Sequence, residues 1–221
     1  MPYKNSFKNT FTLLASTVGV EISRLVKFSF ILGSRASFFS AINIVAPMVG
    51  VLGGIQSGLR LYITQSLIKW FLLGGSVLPY LGYHIPHLFA SAYWNYDSKL
   101  LRLFVPTVCM LLFLVHPVGF QAWPYAMLWL TPIIIGLIKN KNIMLCALGS
   151  TFTAHAVGSV FWIYSMPMVP QAWIALIPVA IVERILFAMG MVIVYYGYSF
   201  VKSYLSKKQS YLYLKSLLQQ S

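Results

Sequence analysis

Residues 171–200 read Q-A-W-I-A-L-I-P-V-A-I-V-E-R-I-L-F-A-M-G-M-V-I-V-Y-Y-G-Y-S-F, a long apolar run whose only charges are Glu183 and Arg184. About 20 mostly apolar residues let a helix cross about 30 Å of hydrocarbon, so the run predicts a membrane-spanning helix. Working outward, the same test finds five more stretches, at 36–59, 61–83, 100–116, 120–138 and 142–165. Composition agrees: of 221 residues 59% are hydrophobic and 9% charged, against about 25% charged in soluble chains. The fold expected is an all-α polytopic integral membrane bundle of six transmembrane helices over 36–200. An N-terminal segment, 1–35, precedes it and a basic tail, 201–221, follows.

Sixteen Lys and Arg against three acids, Glu21, Asp97 and Glu183, give a net charge of +13. Nucleic acid would need those bases gathered on one solvated face. Here they stand singly or in pairs between apolar runs, where they set topology against anionic lipid. Lys139 and Lys141 in one link, and Lys202, Lys207, Lys208 and Lys215 in the tail, read as cytoplasmic. Counting back puts Lys99, Arg102 and Arg35 inside, only Arg60 outside, and both termini in the cytoplasm. Cys109 and Cys146 lie in apolar runs without a spacing partner, which predicts neither a disulfide framework nor a metal knuckle.

Residues 10–35 differ from the rest. On a helical wheel Thr10, Thr17, Glu21, Arg24, Lys27, Ser34 and Arg35 fall within about 140° of one another, opposite Leu, Val, Ile and Phe. The stripe fits an amphipathic helix lying in the cytoplasmic interface. The competing arrangement is a first spanning helix whose Glu21 and Arg24 pair at i,i+3 and face the bundle. It would keep Arg60 inside and cross again through His84–Lys99, where Pro79 and Pro86 demand a broken segment.

Ala46, Gly50, Gly54 and Gly58 recur every fourth residue, a small-residue stripe that permits close backbone approach in lipid. It reads as a helix-packing face or as the docking face for a partner subunit. Cys146, Ser150, Ala154 and Gly158 repeat the device. Most Trp and Tyr residues fall near predicted span ends, as interfacial anchors do.

Charges within hydrocarbon are costly and hence functional suspects. Glu183 and Arg184 fall about 18 Å below the outer entry of their helix, and His155 about 15 Å below the end of the preceding one. These three form the expected polar recognition group, with Trp162, Tyr164 and Trp173 as stacking walls of an outward-facing pocket. The structural alternative is a buried polar lock between neighbouring helices. His84 and His87, in H-I-P-H, are separated by Pro86 and read as non-helical. No zinc-protease, nucleophile-elbow or phosphate-loop motif is present, so neither catalysis, a metal nor a cofactor is expected; an intramembrane enzyme is the least supported reading.

Six helices with both ends cytoplasmic, the run N-I-V-A-P-M-V-G-V-L-G-G-I-Q-S-G over Asn43–Gly58 and an outward pocket resemble a known family. That family is the substrate-binding S component of energy-coupling-factor vitamin transporters. The resemblance covers residues 36–200 and implies a non-catalytic membrane subunit that binds a small micronutrient. It further implies docking through small residues onto a transmembrane coupling subunit driven by ATPases. The A-x-x-x-A docking pattern of such proteins is absent from residues 10–35, and Ala46-x-x-x-Gly50 stands nearest to it. A bacterial or archaeal cytoplasmic membrane is the expected location.

Overall fold

The computed structural model describes residues 3–27, 40–74, 77–139 and 141–218, and the side chains of 13–27, 40–74, 82–139 and 141–208. Ser34, Arg35 and the start of the expected span 36–59 lie outside the described residues, as does the side chain of Thr10. The described chain is all-helical: α1 (Tyr3–Leu25), α2 (Ile42–Gly53), α3 (Ile55–Leu73), α4 (Val77–Asn95), α5 (Val105–Val115), α6 (Pro117–Gln121), α7 (Trp123–Ala126), α8 (Leu130–Leu137), α9 (Ile143–Ser165) and α10 (Pro170–Leu218). A π turn over Leu100–Phe104 leads into α5, where Pro106 lacks the N–H that an α-helix would send back to Arg102. Two helices are long and apolar enough to cross a membrane, Ile143–Ser165 and Pro170–Lys208; three shorter apolar helical stretches span Ile42–Gly53, Leu100–Val115 and Trp123–Leu137.

The expected span 36–59 is not one rod. Gly54, at φ 83° and ψ 158°, turns α2 back on α3, in a backbone region open mainly to glycine. Residues sixteen apart then meet, as the Tyr62 hydroxyl donates to the Ala46 carbonyl at 2.7 Å. A Cβ on Gly58 would lie 3.2 Å from the Gly50 Cα. The stripe Ala46, Gly50, Gly54, Gly58 is therefore folded on itself about Gly54, and its buried members pack within the chain. Gly50 also lies under Ser91 of α4, whose hydroxyl donates to the Pro47 carbonyl at 2.8 Å, and Asn95 caps the Gly50 carbonyl at 2.7 Å.

The second correction concerns 61–83 and 84–99. Instead of one span and a loop, the chain breaks at Gly74 and forms α4 straight through Pro86. A proline ring presses on the carbonyl four residues back; that residue is Gly82, and neighbouring helices hold the rod in place. α4 runs antiparallel to α9: Tyr93 faces Gly149, Pro86 faces Gly158 and Gly82 faces Phe161. The Ser150 hydroxyl donates to the Ala90 carbonyl at 2.7 Å. A Cβ on Gly149 would sit 2.5 Å from the Tyr93 ring, so glycine lets α4 come this close.

α1 packs on α2 and α3 with Thr17 buried and Glu21 and Arg24 partly buried. Gln65 donates to Glu21 at 3.2 Å, and Arg24 pairs with Glu21 at 2.9 Å in the i,i+3 geometry. Leu14, Val18, Ile22 and Leu25 face outward. The i,i+3 pair is the one the competing reading expects, while Glu21 and Arg24 stay partly exposed and Lys27 is exposed. The basic segment 201–218 continues α10 as helix, and 219–221 lie outside the described residues.

Candidate functional site

α9, α10 and the stretch from α6 to α8 meet around an aromatic core of Phe113, Tyr125, Trp129 and Trp173. His155 stands within it, and both ring nitrogens are engaged. Trp129 Nε1 donates to Nδ1 at 3.3 Å and Tyr125 Oη lies 2.8 Å from Nε2. Because an indole only donates, Nδ1 accepts and Nε2 carries the hydrogen. The chain of bonds therefore runs from Trp129 through His155 to Tyr125 and on to the Ser159 hydroxyl at 3.2 Å.

Glu183 and Arg184 are both buried and pair with each other at 2.8 Å. Their positions diverge by about 100° on the helix, and their side chains are long enough to close that gap. Arg184 also donates to the Thr151 carbonyl at 3.3 Å, Thr151 returns a bond to the Arg184 carbonyl at 3.3 Å, and the guanidinium lies 4.8 Å over Phe187. His155 takes its partners from α7, α9 and the short turn before α8 rather than from Glu183. The buried Trp173 indole meets Phe113 and Tyr125 with ring centroids 5.1 and 5.0 Å away. Trp162 is half-buried against the same core. Tyr164 is exposed and turns elsewhere, donating to the Leu112 carbonyl at 2.8 Å and standing edge-on to His116. The six expected residues thus form an ion pair, a histidine with both nitrogens bonded and an aromatic wall, with Tyr164 apart; Arg184 Nε and Trp173 Nε1 are buried without a partner.

A second polar cluster lies between α1, α3 and α4. The ring of Tyr62 stacks on His84 at 5.0 Å and 7°, and His84 and His87 lie 6.1 Å apart, on one face of a helix that Pro86 does not break. Tyr83 meets both imidazoles edge-on, and Arg24 and Lys69 lie 5.5 and 5.6 Å over Tyr83. Lys69 thus faces Tyr83. His87 Nε2 is 3.1 Å from the Asn43 carbonyl oxygen, which only accepts, so Nε2 carries the hydrogen and Nδ1 offers a lone pair. Both nitrogens of His84, Nδ1 of His87, the Gln65 carbonyl oxygen and the Ser66 hydroxyl are buried without a partner.

Sequence reasoning passed over this cluster because Pro86 made H-I-P-H look like a turn. The available signal was the i,i+3 spacing of His84 and His87 together with Tyr62, Gln65, Ser66 and Lys69, which share a helical face. Cys109 and Cys146 are unpaired, and among the described residues no three His, Cys, Asp or Glu side chains gather as a metal-ligand group. Comparison of the chain with protein families, curated proteins and solved structures finds no match.

Proposed function

We propose that the chain is an integral membrane protein that binds a small polar solute in its interior and takes part in its uptake. Successive rods reverse direction through the bundle, α1, α2, α3, α4, the π turn with α5, α6 to α8, α9 and α10, which makes eight passes instead of six. Asp97 pairs with Arg102 and with Lys141 at 3.8 Å, which ties two links together at one end. Lys99, Lys139, Arg60 and the tail lysines gather at that same end, which the positive-inside rule makes cytoplasmic, with both chain ends. Apolar side chains such as Leu14, Ile22, Leu111, Ile134, Ile185 and Ile193 face outward while His84, His87 and Gln65 are buried, the distribution lipid requires.

The observation that carries the solute reading is the set of unpartnered polar atoms on α3 and α4. Each uncompensated buried group costs about 1–3 kcal/mol, so these atoms together cost about 5–15 kcal/mol, comparable to the whole stability of a domain. A bound polar solute removes that penalty. The companion expectation, a transmembrane coupling subunit, stands as part of the proposal, with a docking face other than the buried Ala46, Gly50 and Gly58.

The test is thermal unfolding of the purified full chain against a panel of vitamins, organic ions and metal ions. A true solute at a hundred times its Kd stabilises by about 2.7 kcal/mol, or roughly 5–10 °C in Tm for a chain of this size. A panel without any shift, or release of the protein from membranes by alkaline carbonate, refutes the reading. The pairing of Glu183 with Arg184 and the two bonds of His155 favour a second reading for that group alone, a structural lock. Glu183→Gln then lowers Tm and leaves solute affinity unchanged.

A further inference from the structure

We propose that His84, His87, Gln65 and Ser66 form a binding site for a first-row transition-metal dication of the imidazole-preferring kind, Cu2+ or Zn2+. This rests on the solute reading above and names the class of solute. Four side chains carry buried lone pairs without partners: His84 and His87 Nδ1 on α4, the Gln65 side-chain oxygen and the Ser66 hydroxyl on α3; Tyr62, which shares the α3 face of Gln65 and Ser66 at i,i+3 and i,i+4, stacks on His84 at 5.0 Å. Exposure of 1% for His84, 4% for His87, 1% for Gln65 and 0% for Ser66 keeps all four from bulk solvent.

The two imidazoles are within bridging distance. A metal–nitrogen bond of about 2.1 Å puts the metal about 3.2 Å from each ring centre, so two rings share an ion at about 5.2 Å apart in a tetrahedral arrangement and at about 6.4 Å in a linear one. The centroids are 6.1 Å apart, so a side-chain rotation of about 1 Å brings the pair to the tetrahedral spacing. The outer groups are already in place. Metal-bound histidines commonly give their second N–H to a carbonyl or carboxylate, which fixes ring and tautomer; His87 gives Nε2–H to Asn43 at 3.1 Å, leaving Nδ1 bare. Gln65 gives its amide nitrogen to Glu21 at 3.2 Å, which commits the carbonyl oxygen to the other side.

The nearby charges select among ions. Arg24 and Lys69, beyond Tyr83, and Glu21, paired with Arg24, sum to one positive charge. Mg2+ and Ca2+ want carboxylates and do not suit such surroundings, whereas neutral imidazole holds Cu2+ and Zn2+ firmly. No third His, Cys, Asp or Glu joins the pair among the described residues, so the remaining protein ligands are the oxygens of Gln65 and Ser66.

The experiment uses the full chain in lipid nanodiscs, stripped with chelator, loaded with Cu2+ or Zn2+ and desalted. The expected result is about one ion retained per chain, with nitrogen hyperfine splitting from imidazole in the Cu2+ electron paramagnetic resonance spectrum. His84→Ala and His87→Ala each lose at least tenfold in affinity, Asn43→Leu about tenfold, and His116→Ala and His155→Ala bind as the parent does. Gln65→Glu keeps the ion, which a packing role for Gln65 does not predict. No retained ion in the folded parent chain, or equal retention after His84→Ala and His87→Ala, overturns the site. Should those variants not fold, the parent spectrum decides alone: without nitrogen splitting the site is refuted. A chain that stays in carbonate-washed membranes and shifts with an organic solute but not with metal refutes this inference and leaves the solute reading standing.

Discussion

Replacing Gly149 by alanine places one methyl group at the closest approach of α4 and α9. The added Cβ would lie 2.5 Å from Cζ of Tyr93, far inside van der Waals contact. Tyr93 cannot swing aside freely. It is fully buried, its hydroxyl donates to the Pro132 carbonyl at 2.7 Å, and the Arg102 guanidinium lies 5.3 Å over its ring. Relief therefore means either a shift of α4 from α9 or loss of the Tyr93 hydrogen bond. Overpacking costs about 1–3 kcal/mol and a lost buried hydrogen bond about 1 kcal/mol more, a total of about 2–4 kcal/mol. For a chain of this size that lowers Tm by roughly 5–15 °C, measurable by tryptophan fluorescence during heating in detergent. Gly197→Ala is the control. A Cβ there meets nothing within 4 Å, and alanine is the better helix former, so stability is unchanged or rises by about 1 kcal/mol. An alanine at 149 that unfolds within a degree of the parent would refute the α4–α9 register.

Gly54→Ala meets no neighbour but must adopt φ 83°. It is expected to lose about 1–3 kcal/mol from backbone strain alone, and an unchanged Tm would show that the α2–α3 turn is otherwise formed. Glu183→Gln leaves the Arg184 charge unpaired in a buried site and costs about 3–5 kcal/mol, whereas the double replacement Glu183→Leu with Arg184→Met recovers most of that loss. Additive losses in a double-mutant cycle would contradict their pairing. Tyr125→Phe strips the acceptor from His155 Nε2–H and is expected to cost about 1–3 kcal/mol; Tyr164→Phe, whose hydroxyl is at the surface, costs under about 1 kcal/mol by the same unfolding assay.

The later helices were the legible ones. Long apolar runs bounded by charge or proline announce α5, α9 and α10, whereas the expected span 120–138 is divided into the end of α6, α7, a short 3-10 turn and α8. The first half was misread for two local reasons. Small residues every fourth position look the same on one rod as on two arms folded about Gly54, since Gly50 and Gly58 stand equally far from the turn. Pro86 reads as a breaker by propensity, yet a glycine four residues back and packing against α9 let the helix continue. Both errors hid the cluster of Tyr62, His84 and His87, whose members belong to helices that were drawn too long or not drawn at all. In the expected site, Glu183 and Arg184 are buried within the bundle and His155 partly so. The Glu183–Arg184 pair and the bonds of His155 depend on side-chain reach and on partners such as Tyr125, Trp129 and Thr151 that periodicity does not reveal.

The proposed eight-pass membrane bundle puts the Gly54 turn and the Gly74 break at opposite faces, and single-cysteine labelling tests that proposal most directly. With Cys109 and Cys146 replaced by alanine, cysteines at Gln56, Leu73, Lys99, Gln171 and Lys207 are exposed in intact cells to a membrane-impermeant maleimide. The account predicts labelling at Leu73 and Gln171, with protection until lysis at Gln56, Lys99 and Lys207. Labelling at Gln56 with protection at Leu73 would restore the six-pass arrangement and contradict α4 as a full crossing.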